Sequence, residues 1–246
     1  MQLVSAKLKG QLMQNSILML ILIFLANNCV TVTNDIIEFE QKLKHLSAKH
    51  IPDNSLAVND INLIEENGLV TITGKTTNRE VHDYLSSFSD SLSFDYDVML
   101  LPDPELGDSV HGIINVSVTP IREKTSHTSQ MIDQGILGNS VKILYETGDW
   151  YLCQTHYDYV GWITRSAVYK CDDVYRTYWE QNAKYRLKDL STMIHVEPNK
   201  LSMPVSDAVL NNRLFINDSL DQWFNVTLPD GRMGFIEKEK VELINK

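Results

Sequence analysis

The stretch GDWYLCQTHYDYVGWI, Gly148 to Ile163, recurs as DQWFNVTLPDGRMGFI, Asp221 to Ile236. The two align without a gap. Each opens on a Trp and a second aromatic, Trp150-Tyr151 or Trp223-Phe224, and closes on a Gly, an aromatic and an isoleucine, Gly161-Trp162-Ile163 or Gly234-Phe235-Ile236. Two strands joined by a tight turn satisfy that pattern. Pro229-Asp230-Gly231 makes the second turn, because Pro presets φ and Gly tolerates positive φ. His156-Tyr157-Asp158 takes the same place in the first copy.

Further β segments lie upstream of each hairpin. In the first copy, Val116, Val118 and Ile121 precede a polar loop, then Gly135-Ile136-Leu137-Gly138 and Val141, Ile143 and Leu144. The second copy is more degenerate: Ile194, Val196, Leu201 and Met203 precede Leu210, Leu214 and Phe215, with Asn211-Asn212 as the turn. About five short strands in about 60 residues predict a small barrel, which leaves few exposed edges. The spans are 112–171 for the first barrel and 191–246 for the second, with a partly helical linker at 172–190. The linker aromatics, Trp179 foremost, either clamp the barrels together or offer a glycan-stacking platform.

Residues 35–107 read as a small α+β domain. Asp35 to Ala48 has helical apolar spacing, and Ile61–Ile64 and Leu69–Thr73 suit a hairpin. Asn78 caps a second helix carrying Val81, Tyr84, Leu85 and Phe88 on one face, and Tyr96–Leu101 is a strand. Pro102 and Pro104 mark the boundary, since closely spaced prolines resist both helix and ladder.

Residues 1–30 carry Lys7 and Lys9 ahead of an unbroken apolar run, Ile17 to Ala26. Ten residues fall short of the roughly 20 that span a bilayer but fit the core of an export signal. Cys29 stands where a lipoprotein carries its lipidated cysteine, so the segment is either a lipoprotein signal or an ordinary cleaved one. Both place the protein outside the cytoplasm, in the periplasm or anchored at the outer membrane, with membrane contact only through the lipid. Cys153 and Cys171 then either form a disulfide or remain two buried thiols. With 22 Lys and Arg against 32 Asp and Glu, the net charge is -10 and no basic stripe stands out, which argues against nucleic acid. No metal-ligand or cofactor motif is present, and neither is expected to be bound.

The strings TGKTTNREV, LLPDPELGD, HGIINVSV, Arg122 to Gln130, GDWYLCQT and YVGWI together resemble the N-terminal portion of NlpC-type cell-wall peptidases, over roughly Leu69 to Ile244. That family carries bacterial SH3-like domains ahead of a papain-like catalytic domain. The resemblance implies a mainly β fold, with two small SH3-like β-barrels in tandem preceded by the small α+β domain and the export signal. The Asp-Cys-Ser-Gly type of sequence that holds the family's nucleophile does not occur here. Cys153 lies within a strand and Cys171 precedes two aspartates, so neither is an activated thiol and no catalytic residue is assigned.

In some family members the first barrel walls the substrate cleft, and an acidic residue and an aromatic meet the free amine of the peptidoglycan stem peptide. Glu123 and Tyr159 match those positions, although Glu123 also reads as a solvated loop charge. Trp150, Tyr157 and Trp162 join Tyr159 in a shallow aromatic groove or, as readily, in the core and rim of the barrel. The expected function is a non-catalytic module that binds peptidoglycan stem peptides or a cell-wall hydrolase domain. The alternative is a truncated or split peptidoglycan endopeptidase whose catalytic domain is missing from this chain.

Overall fold

The computed structural model describes residues 37–244 apart from 52, 54, 67–68 and 93–94. The export signal and Cys29 lie outside the described residues. The chain divides into two compact units, 1–52 and 53–246. In the first, helix α1 spans 37–50, and the Ile51 N–H donates to the Ser47 carbonyl at 2.8 Å.

The second unit opens on a three-stranded sheet. Strands β1 (Asn59–Glu66) and β2 (Leu69–Thr76) form an antiparallel hairpin, and helix α2 (Arg79–Leu92) carries the chain over to β3 (Asp95–Leu100), parallel to β2. Asn78 caps α2: its Oδ1 accepts the Val81 N–H at 3.0 Å. Val81 and Leu85, one turn apart, are fully buried with Val70 and Ile72 of β2 and Val98 of β3.

Two seven-stranded antiparallel sheets follow. The first comprises β4 (His111–Ile114), β5 (Val118–Arg122), β6 (Met131–Ile136), β7 (Ser140–Thr147), β8 (Trp150–Thr155), β9 (Val160–Thr164) and β10 (Val168–Cys171). Helix α3 (Asp173–Asn182) leads to the second: β11 (Tyr185–Leu187), β12 (Ser191–His195), β13 (Pro204–Val209), β14 (Arg213–Leu220), β15 (Trp223–Thr227), β16 (Met233–Glu237) and β17 (Val241–Leu243). The strand orders are β10-β4-β7-β8-β9-β5-β6 and β17-β11-β14-β15-β16-β12-β13, the same topology twice.

The duplication is gap-free well beyond the hairpin motif. Adding 73 to a first-copy number gives its counterpart: β6 at 131–136 maps onto β13 at 204–209, and β7 at 140–147 onto β14 at 213–220. The β-bulges coincide, one between Ile121 and Arg122 and its partner between Ile194 and His195. So do the positive φ angles: Gly138 at 83° and Asn211 at 68°, Gly148 at 51° and Asp221 at 46°, Asp158 at 72° and Gly231 at 86°. Left-handed backbone therefore falls at the same three turns, filled by whichever of Gly, Asn or Asp tolerates it.

Each sheet rolls up around its own core. Laid flat, seven strands at about 4.8 Å spacing would set the edges about 29 Å apart. Yet Ile132 of edge strand β6 and Val168 of edge strand β10 pack into one cluster with Ile121, Ile143, Cys153 and Ile163. The expected mainly β architecture of small SH3-like barrels is thus present. Seven strands replace the five anticipated per copy because β4, β10, β11 and β17 have only three or four residues, too few to display a period. The span 172–190 holds α3 and, near its end, β11, which pairs with β14 and β17.

Helix α3 and two turns join the barrels. Trp179 is 1% exposed, in a cluster with Ile113 and Cys171 of the first barrel and Phe215 of the second, and its indole N–H donates to the Gly138 carbonyl at 3.0 Å. It is a clamp and not a surface platform. Leu137 of the first copy lies in the second copy's core cluster, and the buried Asn212 side chain donates to the Ser117 carbonyl at 2.9 Å. Cys153 and Cys171 are both free, so the disulfide left open by the sequence is not made. The two thiols belong to separate apolar clusters, Cys153 inside the first barrel and Cys171 against α3.

Candidate functional site

Strands β8 and β9 alternate faces, as a half-covered sheet must. Tyr151, Cys153 and Ile163 point into the barrel, while Leu152 and Trp162 point out, into a second cluster with Leu101, Leu144, Tyr145, Val58 and Met99. The α+β portion therefore packs on the outer face of the first barrel. The segment ahead of β1 is fastened to the barrel: the Val160 N–H donates to the Ser55 carbonyl at 2.8 Å, and the Gln154 side-chain Nε2 to the Leu56 carbonyl at 3.1 Å.

This docking is incomplete and leaves a groove of about 550 Å³. Asp60 and Lys75 line it from the α+β side, and Glu123, Tyr145 and Trp162 from the barrel. Lys75 Nζ stands 4.4 Å from the centre of the Tyr145 ring, whose edge meets Trp162 at 6.5 Å between centroids. Glu123 follows Arg122, which pairs with Trp162 across the β5–β9 ladder. Its backbone N–H donates to the Gln130 carbonyl at 3.0 Å, closing the 123–130 loop, and its side chain is exposed. With Lys75 turned onto an aromatic face, two carboxylates against one ammonium suit a cationic ligand.

The sequence-derived candidates separate in space. Glu123 and Trp162 share the groove. Tyr159 is 40% exposed on the β8–β9 turn, its ring 5.8 Å from that of Tyr157, and neither lines the groove. The Tyr157 hydroxyl already donates to the Asp133 carboxylate, and burial together with that carboxylate pushes its pKa up to about 12. Trp150 lies at the opposite end of β8, 9% exposed, its ring 5.0 Å from that of His127. Asp60, Lys75 and Tyr145 escaped the sequence reading, since only tertiary packing brings β1 and β2 against the face of β7 that carries Tyr145. In the second copy Val196 and Arg232 replace Glu123 and Tyr159, so the acid and the tyrosine occur only once.

Neither thiol is primed for nucleophilic attack. Burial drives the Cys153 pKa far up, and burial with the Asp172 carboxylate raises that of Cys171 to about 11. A group protonated this firmly stays a thiol through neutral pH. At pH 7 Cys171 therefore holds much less thiolate than a free cysteine. In a Cys29→Ser chain, iodoacetamide at pH 7.5 is therefore expected to modify both sites at least tenfold more slowly than a free cysteine. Modification at the free-cysteine rate would contradict this.

The family model described as the bacterial dipeptidyl-peptidase Sh3 domain matches residues 121–168, from the end of β5 to the start of β10. No curated protein matches the chain. Among solved structures, an NlpC/P60 family protein from Bacillus cereus ATCC 10987 aligns at 14% identity and TM-score 0.44, over 54% of this chain and 55% of that one. An NlpC/P60 endopeptidase from Photobacterium damselae subsp. piscicida aligns at 12% identity and TM-score 0.41, over 82% of this chain and 44% of that one. The chain spans about half the length of these structures. It is similar to them, and its first barrel carries a bacterial SH3 domain.

Proposed function

We propose that the chain is a non-catalytic cell-wall module whose first barrel receives the free amine of a peptidoglycan stem peptide. The observation that carries this reading is the groove, where Asp60 and Glu123 stand beside Trp162 in a barrel matched by a bacterial SH3 domain. The carboxylates hold the ammonium, and Tyr145 and Trp162 cover the apolar part of the peptide. Export to the periplasm or outer membrane, with Cys29 as the lipid attachment point, would bring the module to its ligand.

Retention on insoluble sacculi tests the reading. Because Glu123 is exposed, its pairing with an amine is screened, and Glu123→Gln is expected to weaken binding about twofold to fivefold. Glu123→Lys should weaken it further. Equal retention of wild type, both variants and an unrelated β-barrel protein would remove the proposal. A second reading, favoured by the dipeptidyl-peptidase name of the matched domain, makes the chain the front portion of a cysteine endopeptidase whose catalytic domain is separate. Under that reading a hydrolase domain, and not the bare peptide, occupies the face around Glu123.

A further inference from the structure

A second concavity of about 550 Å³ opens where the two barrels meet the end of α3, lined by Ser140, His156, Glu180, Arg186 and Arg213. It shares Glu180 and Arg213 with a neighbouring hollow that adds Lys184. Its one carboxylate is already occupied: Glu180 accepts the Ser140 hydroxyl at 2.6 Å and Arg176 at 2.7 Å. Arg186 is held by Glu242 at 2.7 Å. Arg213 makes no ion pair among the described residues, and its Nε is buried without an acceptor. In a chain of net charge -10, this cavity thus holds in Arg213 a guanidinium without a carboxylate partner among the described residues.

We propose that this junction binds a small oxyanion, a carboxylate or a phosphate, gripped by Arg213 and Arg186 with His156 as a further donor. Arg213 is well rooted for the task. Its N–H donates to the Leu137 carbonyl at 2.9 Å, and its Cβ stands over Gly138, where an added Cβ would lie 2.7 Å away. These contacts anchor the root of the side chain beside the cavity, and the planar guanidinium fork it carries is the geometry that recognises carboxylate and phosphate. His156 belongs to the first barrel and both arginines to the second, so the anion bridges the pair. Glu242, bound to Arg186, acts as an internal competitor.

The test is a titration of the full chain with inorganic phosphate and, separately, with N-acetylalanine, following the arginine Nε–H resonances by NMR. A saturable shift at Arg213 is expected with at least one probe, and the responding probe identifies the source of the anion. Arg213→Gln should weaken binding about tenfold or more, as loss of a charged hydrogen-bond partner does. Should that variant fail to fold, the exposed Arg186→Gln carries the same expectation. Glu242→Gln, which frees Arg186, should tighten binding. No saturable shift with either probe, or unchanged affinity in the arginine variants, would overturn the site.

Discussion

Trp179→Ala is expected to lower the stability of the paired barrels by about 3–5 kcal/mol, the range for removing a large buried aromatic. The indole fills the cluster shared by Ile113, Cys171 and Ala183, and Phe215 of the second barrel meets it at 73° with 6.2 Å between centroids. Truncation empties that space and also leaves the Gly138 carbonyl without its donor. Helix α3 itself should persist, because Asp172 caps it by accepting the Tyr175 N–H at 2.8 Å. The loss should therefore fall on the coupling of the barrels. Urea unfolding should pass from one transition to two, and Trp179→Phe, which keeps most of the volume, should sit between the two. A single transition shifted by less than about 1 kcal/mol would show that the clamp is misassigned.

The second large effect concerns the glycine before the final aromatic of each hairpin. A Cβ at Gly161 would lie 2.5 Å from Ile121 Cγ2 and 3.1 Å from the Arg122 carbonyl oxygen; at Gly234 it would lie 2.6 Å from Ile194 Cγ2 and 2.8 Å from the His195 carbonyl oxygen. Strands β9 and β16 thus approach β5 and β12 at the bulges in the same way. A methyl must displace backbone as well as an isoleucine tip, so Gly234→Ala and Gly161→Ala should each cost about 1–3 kcal/mol. Gly148→Asp supplies the control. Nothing lies within 4 Å of its added Cβ, and the second copy carries Asp221 at the same turn with φ 46°. Thermal denaturation should rank both alanine variants well below this one. Equal stability of all three would sink the explanation of why the motif demands glycine.

That glycine was visible in the sequence as a repeated letter, and the structure supplies its reason. The hairpins, the Asn211 turn and the Asn78 cap were all legible, because each is fixed by neighbours within a few residues. The short strands β4, β10, β11 and β17 were not, since they form only when the chain returns upon itself across tens of residues. The same limit explains the candidate site. Glu123 and Trp162 could be named from the hairpin and its loop, whereas Asp60 and Lys75 arrive from a strand pair whose own sequence reads only as a hairpin. Trp150 failed to join them for a local reason: it shares the outward face of β8 with Leu152 but sits beyond it, toward the β7–β8 turn, where His127 covers it.

The most direct test of the central claim is an NMR titration of the isotopically labelled chain with a stem tripeptide bearing a free amine. Saturable shifts are expected at Asp60, Lys75, Glu123 and Trp162, with no comparable shifts at the second-copy counterparts Val196 and Phe235 and loss of the response when the amine is acetylated. Shifts centred on the second barrel, or an acetylated peptide that binds as well as the free one, would contradict it.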